Sequence, residues 1–266
     1  MDLIKAHAYG NDFLLAPVED ALAVEAPADL ARRVCARHTG VGADGLMFVS
    51  MTADGAITRL RNADGSRSEI SGNGIRCVAA WLAGQRRFAG RGRLVIRTEA
   101  GERLVELQRR EGSRVWCRAD MGTPHNVADT TIDINGQPIP CVVLYIGNPQ
   151  CVVLGEGAHV SRERLHAVAG PLAVHPNFPD GTNVSLATVE APDRVRILIW
   201  ERGVGPTEAS GTGACGAAIA AHYRGGMAGT IAVVAPGGTQ HVEVGATVWL
   251  TGWAEVTADV FWRGAR

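Results

Sequence analysis

No apolar run in this chain approaches the ~18 residues that a membrane-spanning helix needs. Charge of one sign is missing too: 26 Lys and Arg stand against 27 Asp and Glu, a formal net charge of −1. No strong field therefore steers a nucleic acid or an anionic membrane to the surface. The opening Met1-Asp2-Leu3-Ile4-Lys5 breaks any signal-peptide pattern, which predicts a cytoplasmic protein. The six cysteines, Cys35, Cys77, Cys117, Cys141, Cys151 and Cys215, form no CxxC pair, which argues against a zinc ribbon or a thioredoxin-like site. In a reducing compartment they read as free thiols, small and buried. No HExxH and no His/Cys cluster suggests a metal. Wholesale disorder is excluded, because 46% of the residues are hydrophobic.

Glycine is what the chain has in excess, 33 of 266 residues. These glycines show no three-residue period, so they are not collagen. They mark turns, or places where backbone approaches something closely.

Most segments read as short strands: Ile57 to Arg61, Arg93 to Thr98, Arg103 to Leu107, Arg114 to Ala119, Cys141 to Ile146, Arg194 to Trp200, Thr247 to Thr251 and Ala254 to Trp262. Turn signals separate them at Ala53-Asp54-Gly55, Asn135-Gly136 and Pro236-Gly237-Gly238. Helical patterns are few. One segment opens at Pro27, carries Leu30, Val34 and His38 on one face, and closes at Gly40. A second has Ile75, Val78, Ala79 and Leu82 at helical spacing. A third is the small-residue stretch Ala214 to Tyr223, ended by Gly225-Gly226. Many strands with few helices predict an α+β fold.

The sequence also repeats itself. Ser71-Gly72-Asn73-Gly74 and Ser210-Gly211-Thr212-Gly213 lie about half the chain apart, and each leads through a cysteine and small residues into a helix. Each has an upstream Asp-Gly, Asp44-Gly45 and Asp180-Gly181. Two similar halves are predicted, each presenting a glycine loop at a helix N-terminus. Such an end has unpaired N–H groups and partial positive charge, which suit a carboxylate or a phosphate. Neither loop is a Walker A, and there is no Gly-x-Ser-x-Gly elbow. Gly40-Val41-Gly42-Ala43-Asp44-Gly45 has a GxGxxG outline without a clear βαβ frame. Asp44 and Asp180 read as turn formers. His7 reads as a strand residue and His38 as the C-terminal residue of a helix.

Taken in order, Gly10-Asn11-Asp12-Phe13, Gly40 to Gly45, Arg61-Asn62-Ala63-Asp64-Gly65-Ser66, Gly72 to Cys77, Gly147-Asn148-Pro149, Gly181-Thr182-Asn183, Glu201-Arg202-Gly203 and Gly211-Thr212-Gly213 resemble the motifs of the diaminopimelate epimerase family. The resemblance runs through the whole chain. It implies two pseudo-symmetric halves, each a strand-rich barrel around a central helix, with the active site in the cleft between them. The expected halves are residues 1–120, joined by a C-terminal strand 254–266, and 121–253.

It also implies a homodimeric, pyridoxal-phosphate-independent amino-acid epimerase without a cofactor or metal, acting on a small-molecule amino acid. Its reaction would interconvert LL- and meso-diaminopimelate on the route to lysine. In the family, two cysteines on opposite faces of the α-carbon move the proton. Here those positions are Ser71 and Ser210. Asn11, Asn62, Asn148 and Asn183 match substrate-holding positions. Glu201 and Arg202 match positions that grip the distal ammonium and carboxylate. Gly72-Asn73 and Gly211-Thr212 match the loops around the reacting carboxylate. Gln150 stands where the family often has histidine after Gly-Asn-Pro.

The serines matter energetically. Ionising a thiol of pKa ~8.5 at pH 7 costs roughly 2 kcal/mol. A hydroxyl with a water-like pKa of ~15.7 costs roughly 12 kcal/mol, of which a helix N-terminus returns ~2. A neighbour must activate each serine for turnover. Cys77 and Cys215 lie roughly one and a half turns into their helices, too deep to replace them. A racemase of another amino acid, an impaired double Cys-to-Ser variant and an amino-acid-binding homologue are the alternative readings.

Overall fold

The computed structural model describes residues 1–24, 26–155, 160–227 and 229–264. The chain divides into two compact units, one of Met1–Asp120 with Gly252–Arg266 and one of Met121–Thr251.

In the first unit, β1 (Asp2–Ala8) and β2 (Asn11–Pro17) form an antiparallel pair. α1 (Pro27–Cys35) then carries the chain over to β3 (Gly45–Met51), which runs parallel to β2. Next, β4 (Gly55–Asn62) pairs antiparallel with β3, and the two-residue β5 (Arg67–Ser68) leads into α2 (Gly72–Ala83). After α2 comes β6 (Arg93–Thr98), parallel to β4, followed by the antiparallel β7 (Gly101–Glu111) and β8 (Arg114–Gly122). The last strand of the chain pairs with both β1 and β8 and closes the ring. Parallel neighbours cannot be joined by a tight hairpin, and here a helix makes each crossover.

The second unit repeats the scheme. β9 (His125–Ile134) pairs with β10 (Gln137–Tyr145), which pairs antiparallel with β11 (Pro149–Leu154). A helical stretch crosses to β12 (Asn183–Ala191), parallel to β11. It consists of α3 (Arg162–Arg164), a π-helical turn at Leu165–Ala169 and α4 (Gly170–Ala173). β13 (Arg194–Glu201) is antiparallel to β12, and the short β14 (Gly205–Thr207) leads into α5 (Gly211–Gly225). β15 (Thr230–Ala235) then lies parallel to β13, with β16 (Gly238–Val244) and β17 (Val248–Phe261) following antiparallel. The order of antiparallel and parallel pairs from β10 to β17 matches that from β1 to β8.

Each unit is strand-rich around one central helix. α2 packs on β1, β2, β6 and β7; α5 packs on β10, β11, β12, β13, β15 and β16. A helix surrounded by strands is buried on every side, and both lose their solvent face from the first residue to well past the middle. Space explains their small residues. A Cβ at Gly74 would stand 2.8 Å from Met47 Sδ, and one at Gly216 would stand 3.2 Å from the Gln150 side chain.

Two expectations are corrected. The helix opened at Pro27 ends at Cys35, so His38 lies in the following turn and is not a helix C-terminal residue. The chain doubles back there, with the Val41 and Gly42 N–H groups donating to the Val34 carbonyl at 2.8 and 3.1 Å. Gly40 fits because any Cβ would overlap the Arg33 and Val34 carbonyls. The two candidate strands at Thr247 to Thr251 and Ala254 to Trp262 are one continuous strand, β17. The six cysteines are all buried and none forms a disulfide. Among the described residues, no helix is long and apolar enough to cross a membrane.

Candidate active site

Both Ser-Gly-x-Gly loops are N-caps. Ser71 (φ −128°, ψ 122°) and Ser210 (φ −136°, ψ 133°) are extended, and each carbonyl accepts the first intrahelical bond. Each hydroxyl accepts the N–H three residues on, Gly74 to Ser71 at 3.0 Å and Gly213 to Ser210 at 3.2 Å. This is the classical use of serine at this position. It leaves the earliest helical N–H groups, of Gly72 and Asn73 and of Gly211 and Thr212, at the positive end of the dipole.

In the first unit, Asn73 and Asn11 come together: Asn73 Nδ2 donates to Asn11 Oδ1 at 3.0 Å. Asn11 Nδ2 donates to Asp44 Oδ2 at 2.7 Å. Asp44 also takes the Asp12 backbone N–H at 3.1 Å and Arg37 Nη2 at 2.8 Å. Arg37 and Lys5 both bind Asp12. Burial works against ionising Asp12, but these hydrogen bonds from Arg37 and Lys5 hold its carboxyl below the ordinary range. Burial and the neighbouring Asp12 charge push the Asp44 carboxyl up. Behind the loop, Arg76 is fully buried and donates to the Gly72 carbonyl and to Asn73 Oδ1. Asn62 lies at the end of β4 and donates to Ser66 Oγ at 2.9 Å, within its own turn.

In the second unit, Asn148 Nδ2 reaches Thr212 Oγ1 at 3.4 Å, and Gln150 Nε2 donates to Asn148 Oδ1 at 2.5 Å. Gln150 Oε1 is buried without a hydrogen-bond partner among the described residues. Asn183 Oδ1 accepts the Arg202 backbone N–H at 2.9 Å, and Arg202 Nη1 donates to the Asp180 carbonyl at 3.0 Å. The contact that sequence reasoning missed is at Glu201. Ser210 Oγ donates to Glu201 Oε2 at 3.1 Å, and Thr207 Oγ1 donates to Oε1 at 2.8 Å. The β13–β14 hairpin makes this possible, pairing Glu201 with Gly205 and bringing Thr207 and then Ser210 back past it. Gln240 Nε2 holds the Ser210 carbonyl at 3.2 Å. Ser210 is 1% exposed, whereas Ser71 is half-buried.

Arg76, Asp44, Gln150, Thr207 and Gln240 were not singled out as site residues from the sequence. Arg76 carries a local signal, a charge inside the apolar pattern of α2, and Gln150 another, as a departure from the family's Gly-Asn-Pro motif. Cys77 is wholly buried, and burial pushes its thiol far up. Cys215 is wholly buried too.

The sequence model of diaminopimelate epimerase matches residues 3–127 and 142–251. The diaminopimelate epimerase of Desulforudis audaxviator is 37% identical over 98% of this chain and 99% of its own length. That of Moorella thermoacetica is 38% identical over 83% of each. Among solved structures, a predicted epimerase from Pseudomonas aeruginosa superposes with TM-score 0.75 at 15% identity, covering 99% of both chains. A probable proline racemase from Agrobacterium radiobacter gives 0.73 at 16% identity, covering 98% of this chain and 92% of the other. At that identity the structures establish the fold, and the whole-length sequence matches establish the family. The chain belongs to the diaminopimelate epimerase family of isomerases.

Proposed function

We propose that the protein is a cofactor-independent epimerase that interconverts LL- and meso-diaminopimelate by two proton transfers at one α-carbon. In this reading Ser71 and Ser210 occupy the acid/base positions. Gly72, Asn73, Gly211 and Thr212 hold the reacting carboxylate with their N–H groups. Asn11, Asn62, Asn148, Asn183, Glu201 and Arg202 line the substrate. The enzyme is taken to be a cytoplasmic homodimer in lysine biosynthesis.

The observation that carries the reading is the hydrogen bond from Ser210 Oγ to Glu201 Oε2. A serine is a poor base until an adjacent acceptor takes its proton. With Glu201 beside it, the Cα–H proton passes to Ser210 Oγ while the serine proton passes to the carboxylate. On the opposite face the carbanion takes the Ser71 hydroxyl proton; that oxygen regains a proton from water, and Glu201 gives its proton to the hydroxide so formed. The stereocentre inverts, and no atom is lost. Backbone N–H dipoles around the carboxylate stabilise the charge that develops between these transfers.

Incubation with LL-diaminopimelate in heavy water tests this directly. Deuterium at Cα together with appearance of the meso isomer is expected. Tight binding without exchange would sink the claim of turnover and favour a binding homologue, a reading supported by the hydroxyls at both acid/base positions. Exchange only with another amino acid would make the protein a racemase of that substrate.

A further inference from the structure

Arg76 is the largest of the fully buried side chains and lies in the first turns of α2. A guanidinium is expensive to bury and is kept only where it is well bonded. Its side chain runs back toward the helix N-terminus, as helical side chains do. Nε donates to the Gly72 carbonyl at 3.1 Å, and Nη2 donates to Asn73 Oδ1. Its charge lies 5.8 Å from the centre of the Tyr9 ring. The last strand leaves room for it at Gly252, where a Cβ would overlap Arg76 Nη1 and stand 2.9 Å from the Tyr9 ring.

These contacts have a consequence for the loop. The Gly72 carbonyl and the Asn73 N–H belong to one peptide group. A cation bonded to that carbonyl draws electron density through the amide and makes the N–H a stronger donor. The second contact fixes which end of the Asn73 carboxamide is oxygen. That leaves Nδ2 to donate to Asn11 Oδ1, which in turn commits Asn11 Nδ2 to Asp44. One buried charge thereby sets the donor strength of the loop and the orientation of two asparagines. At the same step from the capping serine, α5 has the uncharged Cys215.

We propose that Arg76 is a positioning residue that gives the Ser71 loop its affinity for negative charge, a buried cation for which α5 has the uncharged Cys215. The link to the reacting carboxylate rests on the proposed epimerase function; the electrostatic effect on the loop does not.

The test uses a thiol as a reporter of negative-charge stabilisation at the cap. Ser71→Cys places one thiol there, and its pKa is read from the pH dependence of alkylation by iodoacetamide. The native thiols are buried, Cys35 and Cys117 pushed up to about 12 and Cys141 lowered by its hydrogen bond with Cys151, so the protein without Ser71→Cys is alkylated alongside as the blank. Other ionisable groups facing Arg76 are Tyr9, Cys77 and Cys117. Desolvation by burial raises all three, which keeps them neutral in the working range. Adding Arg76→Met is expected to raise the reporter pKa by about one unit. Arg76→Lys, which keeps the charge without the fork, should give a smaller rise. Gly252→Ala, which crowds the guanidinium without removing it, should raise the pKa as well. An unchanged pKa in a folded Arg76→Met protein overturns the proposal. If that variant does not fold, an unchanged pKa in both Arg76→Lys and Gly252→Ala overturns it. No substrate is involved, so absence of exchange with diaminopimelate would defeat the proposed function and leave this measurement standing.

Discussion

The Ser71 and Ser210 loops share a cap, a backbone conformation and a place in their units, yet their surroundings have opposite character. Ser71 is half-buried, and the loop behind it is held by the Arg76 cation. Ser210 is buried and donates to the Glu201 carboxylate. Around Asn11 the first loop connects to the charged set Asp44, Arg37, Asp12 and Lys5. The second connects through Thr212 to the neutral amides of Asn148 and Gln150. A repeated fold has thus kept its frame while the surroundings of the two capping serines diverged in polarity. A reaction that takes a proton on one face and returns it on the other benefits from that difference. A carboxylate beside one hydroxyl favours losing a proton to it, and a cation behind the other loop favours holding negative charge.

The largest expected effect comes from restoring thiols at both caps. Ser71→Cys with Ser210→Cys should raise the rate of Cα deuterium incorporation by about 10²–10⁴-fold, the usual reach of a well-matched acid or base. No gain would count against both serines as the proton-handling positions. In that double variant, Glu201→Gln should lower exchange by about 10²-fold, because the group at Ser210 loses its acceptor. An equal rate with glutamine would remove the polarity argument from the second loop.

The features behind that comparison differ in how far the sequence discloses them. The capped helices are legible because their signals are local: a serine, then glycines, then apolar residues at helical spacing. Hairpin turns such as Asn135-Gly136, both with positive φ, are legible for the same reason. β2 and β3 are harder to see, being buried along almost their whole length. Continuous apolar strands lack the alternation that marks a half-exposed one. The continuity of β17 through Gly252 is not legible either, since a glycine mid-strand weakens the strand pattern. Its actual reason is the space taken by the Arg76 guanidinium. The Ser210–Glu201 bond depends on how the β13–β14 hairpin folds back, and no residue spacing encodes that.

A smaller effect separates the caps by stability. Ser71→Ala removes one hydrogen bond to Gly74, and urea denaturation should show a loss of about 1 kcal/mol. Ser210→Ala removes the equivalent bond and also withdraws a donor from the half-buried Glu201 carboxylate. It should cost about 2–3 kcal/mol. Equal losses would mean that the Glu201 contact adds nothing to folding.

The smallest effect is a difference in pH dependence between the two polar frames. Asp12 sits below its ordinary pKa in the folded protein. Burial opposes this, and the Arg37 and Lys5 hydrogen bonds overcome it. A depressed carboxyl contributes stability that is complete above the unfolded value of ~4 and is lost as pH falls through the lower folded value. Asp44 has the opposite sign: burial and the Asp12 charge raise it, so its contribution is complete in acid and declines as pH rises. The acid profile of the native protein mixes the two, and a difference between variants separates them. Asp12→Asn should destabilise by about 1–3 kcal/mol at pH 7, with the penalty shrinking as pH is lowered from 4 toward 2. In the other unit Thr212, Asn148 and Gln150 carry no ionisable side chain, so Gln150→Leu should impose the same penalty across that range. Urea midpoints at pH 7, 4 and 3 decide the matter. A flat penalty for Asp12→Asn would show that the ions around the first loop hold it no differently from the amides around the second.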